Sequence, residues 1–254
     1  TIEEIDRRLA QLKDSVEIDL VARSVQSKLK SRPDSRMDMP FENTFAIWSI
    51  SDRGESATWQ PEGLLMTRAA SQKYEELQAS VSARVAGDFD IVAKFADLQV
   101  ETPSDGSSAI HLIVVADDPL QTHCGVLHGV SAHPGIDQRR VTQVEFIRFR
   151  PSRVEINFDG VAAEASDSGK LRIARIGRRM YFMMAEEDSP TFRLLHSTDV
   201  GDVPLQFNGI RLLCGTNDNK SPPSGGVRVN WKSLSIRADR VIPLPTPANQ
   251  TGVK

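Results

Sequence analysis

Two hydrophobic periods divide this chain. From the N-terminus, Ile2, Ile5, Leu9, Leu12 and Val16 recur at steps of three and four, which places them on one stripe of a helix and predicts a helix over residues 1–30. The heptad breaks at Asp19 and the apolar series resumes out of register at Leu20, Val21, Val25 and Leu29, so a coiled coil is not sustained. The stripe is expected to dock on the main domain or on a region upstream. Ser31 to Pro40 carries Arg, Asp, Ser and two prolines and reads as a linker. After Phe41 the period becomes two. Leu77, Ala79, Val81, Ala83 and Val85 alternate with polar residues, as do Phe89, Ile91, Ala93 and Phe95 beyond Gly87-Asp88, predicting two strands joined by a short turn. Further strands are expected at 110–116, 141–149, 153–158, 171–176, 180–184, 210–214 and 227–236, separated by turn clusters such as Asp117-Asp118-Pro119, Asp159-Gly160 and Asp167-Ser168-Gly169. Many short strands without strand-helix-strand alternation predict an all-β antiparallel sandwich over residues 41–242. Pro243 to Pro247 opens a proline-punctuated tail over residues 243–254.

Composition narrows the function classes. The 254 residues are compatible with one large all-β core. With 31 basic and 34 acidic side chains the net charge is −3, which excludes a polycationic nucleic-acid binder. A hydrophobic share of 39% is that of a globular chain. No run of about 18 uncharged apolar residues predicts a membrane span. Thr1 follows no methionine or signal pattern, so the chain reads as part of a longer precursor. Cys124 and Cys214 are either one bridge or two buried free thiols.

The run Leu171-Arg172-Ile173-Ala174-Arg175-Ile176-Gly177-Arg178-Arg179-Met180-Tyr181-Phe182 resembles a hairpin of concanavalin A-like lectin/glucanase domains. Val227-Arg228-Val229-Asn230-Trp231-Lys232-Ser233-Leu234-Ser235-Ile236 resembles the last strand of the same jelly-roll group. With Gly87-Asp88-Phe89-Asp90-Ile91 the spacing is similar to uncharacterised planctomycete domains of that fold, over residues 75–240. The resemblance implies a concanavalin A-like jelly roll, a fold shared by lectins, glycanases and adhesion modules; no sugar-contacting residue carries over onto a matching motif.

Candidate chemistry is scattered. Glu17-Ile18-Asp19-Leu20-Val21-Ala22 resembles the catalytic strand of family 16 glycanases, but Ala22 stands where the second glutamate belongs, and retaining hydrolysis needs two carboxyls. His111, His123, His128 and His133 cluster in sequence without a helical i, i+4 pair; surface or turn positions are expected for them, with zinc as the competing reading. Asp117, Asp118, Asn217, Asp218 and Asn219 offer the hard oxygens that calcium prefers, and are also residues that cap turns. Aromatics total only 6%. Trp48 and Trp231 fall in alternating strands and are expected in the core, whereas Trp59, in a polar stretch, is the first candidate for stacking on a sugar, and Tyr181 is ambiguous. Between Arg139 and Arg179 ten basic residues face five acids on strands expected to be neighbours. Arg148 and Arg175 of this stripe are candidates for a carboxylated or sulfated glycan, against pairing across strands with glutamates.

The sequence thus predicts a non-catalytic binding module for a polysaccharide or oligosaccharide, within a larger secreted or periplasmic protein whose upstream domains are further partners. Nucleic acid is not expected as a ligand. No cofactor is expected, calcium being the exception that the oxygen-rich loops allow. The alternatives are a glycan-active hydrolase with carboxylates among Glu145, Glu155 and Glu186, or a structural, protein-interaction domain without sugar binding.

Overall fold

A computed structural model of the chain describes residues 27, 36–40, 47–51, 56–70, 75–103, 106–132, 139–150, 152–163, 166–217 and 225–243. The predicted helix over 1–30 lies outside these residues except at Ser27, which is helical. The tail beyond Pro243 and the glycanase-like stretch Glu17 to Ala22 also lie outside them.

Fifteen strands, numbered in chain order, form two antiparallel sheets. The eight-stranded sheet holds β1 (Arg36–Pro40), β3 (Ala57–Gln60), β4 (Gly63–Arg68), β6 (Ala83–Val100), β11 (Gly169–Ile176), β12 (Arg179–Glu186), β13 (Arg193–Asp199) and β15 (Val227–Pro243). Its order is β13-β12-β11-β6-β15-β4-β3, with β1 alongside β15. The seven-stranded sheet holds β2 (Trp48–Ser51), β5 (Glu75–Val81), β7 (Ser107–Ala116), β8 (His123–Ser131), β9 (Arg139–Arg150), β10 (Arg153–Ala163) and β14 (Leu205–Asn217), in the order β10-β9-β8-β7-β14-β5-β2. Period-two alternation turns one side of every long strand inward. Phe89, Ile91, Ala93 and Phe95 of β6 meet Leu77, Ile110, Leu112, Val126, Phe182 and Trp231 in one core, with Phe95 and Trp231 edge to face at 6.2 Å. Trp48 and Trp231 are core residues, as their alternating strands predict.

Four local expectations are corrected. The alternating run from Leu77 to Phe95 is not a hairpin turning at Gly87-Asp88. The chain passes between sheets at Ser82, whose N–H donates to the Ile47 carbonyl at 2.7 Å, and β5 and β6 belong to different sheets. Gly87 sits inside β6 at φ 75°, opposite a register shift between Ala238 and Arg240. Asp88 N–H donates to Asp239 Oδ2 at 2.9 Å, so the Gly-Asp pair makes a bulge that bends a continuous strand. Asp159-Gly160 likewise lies within β10, at a register shift between Asp159 and Ala162. Residues 36–40, expected as linker, form β1, which pairs with Ser233 to Arg237. The histidines His123 and His128 lie in β8, buried on nearly its whole length. With both faces covered, β8 shows no alternation to read.

The two cysteines are free and buried. Cys124 stands opposite Val114 and Cys214 opposite Ile110, on the two strands flanking β7. Two strand spacings and four residues of offset put them about 16 Å apart, far beyond disulfide reach. Burial pushes both thiols up to about 12.

Candidate functional site

The strand ends around the Gly87 bulge create the site. On the eight-stranded sheet, β6 begins and β15 ends here; on the seven-stranded sheet, β7 ends, β8 and β14 begin, and β9 ends. The segment from Asp199 to Pro204, at the junction of β13 and β14, contributes residues to two cavities. The larger has a volume of about 800 Å³ and is lined by Arg84, Asp117, Asp202, Gln206, Phe207 and Arg240 among others. The smaller, about 330 Å³, is lined by Asp118, Arg148, Arg178 and Asp199 over the buried Val114, Cys124 and Met180. Phe207 is 37% exposed, so a large aromatic ring meets solvent on the cavity wall. A ring flanked by two carboxylates, two guanidiniums and an amide is a surface on which the C–H face of a sugar can stack while its hydroxyls take hydrogen bonds.

Arg175 braces the cavity end from inside. It lies on the inward side of β11 and is 1% exposed. Its Nη2 and Nε donate to the Gly87 carbonyl, its Nη1 to the Val203 carbonyl, and its guanidinium lies over Phe89 at 5.0 Å. One side chain thus ties the bulge to the segment from Asp199 to Pro204. Desolvation lowers its pKa, against the opposing pull of Asp202 and Asp88. At the same end, the β11–β12 hairpin turns through Gly177, at φ 56°, whose N–H donates to Asp88 Oδ1 at 2.6 Å. Asp199 Oδ1 accepts from Gly201 N–H at 2.9 Å and its carboxylate pairs with Arg178 at 3.2 Å; these two contacts, the backbone one larger, hold its pKa below the ordinary value.

The structure brings some of the predicted residues together and separates others. Asp117 and Arg148 line the two cavities. Asp118 spends its carboxylate on the turn that follows, accepting from Thr122 N–H at 2.8 Å and Thr122 Oγ1 at 2.7 Å. Arg175 shapes the site and its guanidinium is occupied by the backbone. Asn217 pairs with Ser107 at the start of β7, a strand length of about 30 Å from Asp117; Asp218 and Asn219 lie outside the described residues. Trp59 is half buried on the edge strand β3 and packs edge to face on Trp48 at 6.0 Å, covering the core. Tyr181 lies on the outer face of β12 against Ala174 and Met183.

Fit for calcium is poor at this end: among the described residues no group of three or more His, Cys, Asp or Glu could hold a metal, and calcium takes six to eight oxygens. The basic stripe is corrected, because its halves fall on different sheets: Arg139 to Arg153 on β9 and β10, Lys170 to Arg179 on β11, β12 and their turn. Chain order suggested neighbours, but β11 pairs with β6. Glu145, Glu155 and Glu186 are also dispersed. Glu145 lies on the outer face of the seven-stranded sheet, near His111 Nδ1 at 3.4 Å. Glu155 has the opposite parity on β10 and pairs with Arg150 and Arg153, and Glu186 ends β12 on the other sheet.

Of the histidines, His111 and His123 share that outer face. His123 is held down to about 4, first by burial and then by Arg211, against Glu145 and Asp118. His128 points inward, with Nδ1 against Thr142 Oγ1 at 2.7 Å and Nε2 against the Ser166 carbonyl at 2.9 Å; burial lowers its pKa. His133 lies outside the described residues. The expectation of surface or turn positions is therefore corrected for the three that are described. Phe207, Asp202 and Arg240 were not singled out by sequence. The one available signal was Phe207 in the glycine- and proline-containing stretch 201–209 before Ile210, whose composition marks a strand end.

A family model described as "Protein of unknown function (DUF1583) C domain" matches residues 1–254. Comparison with curated proteins gives no match. Among solved structures, the sandwich is similar to the metal-free VIP36 exoplasmic/lumenal domain, with TM-score 0.52 and 9% identity over 85% of this chain and 98% of that one. The Ca²⁺/Man2-bound form of the same domain gives 0.51 and 8%, over 87% and 93%. The Crh5 transglycosylase in complex with NAG gives 0.52 and 10%, over 81% and 85%. At such identities the likeness is one of fold, and the fold is a concanavalin A-like sandwich, as the hairpin and final-strand resemblance implied.

Proposed function

The chain belongs to the DUF1583 C-domain family, and from that premise we propose that it is a non-catalytic carbohydrate-binding module whose site is the larger cavity at the Gly87 end of the sandwich. The observation that carries this reading is the half-exposed Phe207 ring beside Asp117, Asp202, Gln206, Arg84 and Arg240. The ring offers the stacking platform and the charged and amide groups fix hydroxyls, as in sugar sites generally. Similar folds in VIP36 and Crh5, described with Man2 and NAG, support the ligand class. Arg148 in the adjoining cavity extends the surface to a second sugar ring. The ligand is held in this reading by the side chains that line the cavity. Dispersal of Glu145, Glu155 and Glu186 weighs against the hydrolase reading, because acid and nucleophile must flank one bond. An extracytoplasmic setting agrees with this ligand class and with the exoplasmic/lumenal origin of VIP36; among the described residues no helix is long and apolar enough to cross a membrane.

A broad glycan-binding screen with and without calcium tests the reading: saturable binding of a defined glycan, lost in Phe207→Ala, is expected, and a screen with no hit contradicts it. A second reading, a protein-interaction domain, is favoured by one observation. Phe149, Val154 and Ile156 are 40%, 53% and 53% exposed on the outer edge formed by β9 and β10, an apolar patch suited to a protein partner. Substitution of Val154 and Ile156 by Ser separates the two, since it removes the patch without touching the cavity.

A further inference from the structure

A patch on the outer face of the eight-stranded sheet, carried by β11 and β12, is buried as thoroughly as a core. Ala174 is 0%, Arg172 1%, Met183 1% and Ala185 5% exposed there, and they form a separate apolar cluster with Phe192, Val92, Tyr181 and Leu194. Arg172 lies flat across this face, with Nε and Nη2 on the two oxygens of Asp90 at 2.6 and 2.9 Å and its guanidinium over Phe192 at 5.0 Å. Its Nη1 is shut off from solvent without any hydrogen-bond partner. Side chains on the outside of a two-layer sandwich stay wet unless a third layer covers them. Every described strand belongs to one of the two sheets; among the described residues only the turn after β12 is seen to reach this face, where Lys170 Nζ donates to the Ser189 carbonyl at 3.0 Å.

The point at which the chain enters the sheet identifies the cover. Arg36, the first residue of β1, stands opposite Arg237, which stands opposite Asp90, then Ala174, then Tyr181. Arg36, where the described chain enters the sheet, therefore stands on the row that crosses the buried cluster. We infer that residues 1–30 lie across the outer face of the eight-stranded sheet, setting the stripe of Ile2, Ile5, Leu9, Leu12 and Val16 on Val92, Ala174, Tyr181, Met183 and Phe192. The dimensions agree. As a helix, residues 1–16 span about 24 Å, and the five strands from β15 to β13 span about 19 Å. The closed face is thereby taken out of ligand binding, and the cavity end remains open.

The test uses the full chain carrying Met183→Cys. Cys124 and Cys214 do not compete for a thiol reagent, because burial pushes them up to about 12. The new thiol is expected to react slowly, because reaction waits on transient opening of the cover, and to react about tenfold faster or more when Leu9→Asp and Leu12→Asp detach it. Equal rates with and without the two Asp substitutions overturn the inference. So does protection that vanishes on dilution, which would make a second copy the cover. Where the Asp variant fails to fold, a chain pairing Met183→Cys with Leu9→Cys is treated with a short bis-maleimide. An intramolecular cross-link is expected, and its absence from Ile5→Cys, Leu9→Cys and Leu12→Cys alike overturns the proposal.

Discussion

Arginine serves opposite ends in two regions of this molecule. On the outer face of the eight-stranded sheet Arg172 is sealed in, both oxygens of Asp90 taken and a ring beneath its guanidinium. At the cavity end Arg84 and Arg240 stand exposed on paired strands beside Phe207. The first region spends its charge on holding the fold. The second keeps charge, amide and aromatic surface turned to solvent, where a ligand can use them. Burial is what separates the two roles, because a desolvated charge must be paired where a wet one need not be.

Breaking the buried pair should have the largest effect. Asp90→Ala leaves a guanidinium buried without its carboxylate and is expected to cost about 3–5 kcal/mol, whereas Arg84→Ala at the cavity should stay within about 0.5 kcal/mol. Denaturant titration of the two variants reads the contrast directly, and comparable losses would erase it.

Acid comes next. His123 falls from the ordinary 6.5 to about 4 in the folded chain, and His128 is also lowered, both first by burial. Below about pH 6.5 the unfolded chain binds protons that the native one refuses, so stability present above that pH is lost as pH falls toward 4. Melting temperatures across this window should decline, and His123→Phe should decline less steeply; a flat profile in the parent chain would contradict the burial of both rings.

A smaller effect concerns Trp59. Its edge-to-face contact with Trp48 predicts that Trp59→Ala lowers stability by about 1–2 kcal/mol and leaves glycan binding unchanged. Loss of binding at full stability would return Trp59 to the site.

Much of the fold is legible in the sequence: alternation announces β5, β6 and the first ten residues of β15, while β7, β11 and β12 show as apolar-rich runs recovered within three residues. β8 is not, since two histidines and two glycines break up the apolar run of a strand that is covered on both faces. Gly87-Asp88 and Asp159-Gly160 carry turn composition, yet cross-strand partners hold them inside long strands as bulges. The site is less legible. Asp117 and Arg148 were candidates, but Phe207, Asp202 and Arg240 lie on segments brought together only by pairing of β14 with β7 and of β15 with β6. Arg175 has the chemistry of a ligand residue and the position of a structural one, and only its bonds to Gly87 and Val203 decide between them.

The most direct measurement compares the glycan affinity of the parent chain with that of Phe207→Ala. The account predicts a loss of about tenfold, or about 1.4 kcal/mol, with melting temperature nearly unchanged. Equal affinity in the two chains would contradict a binding site in the larger cavity.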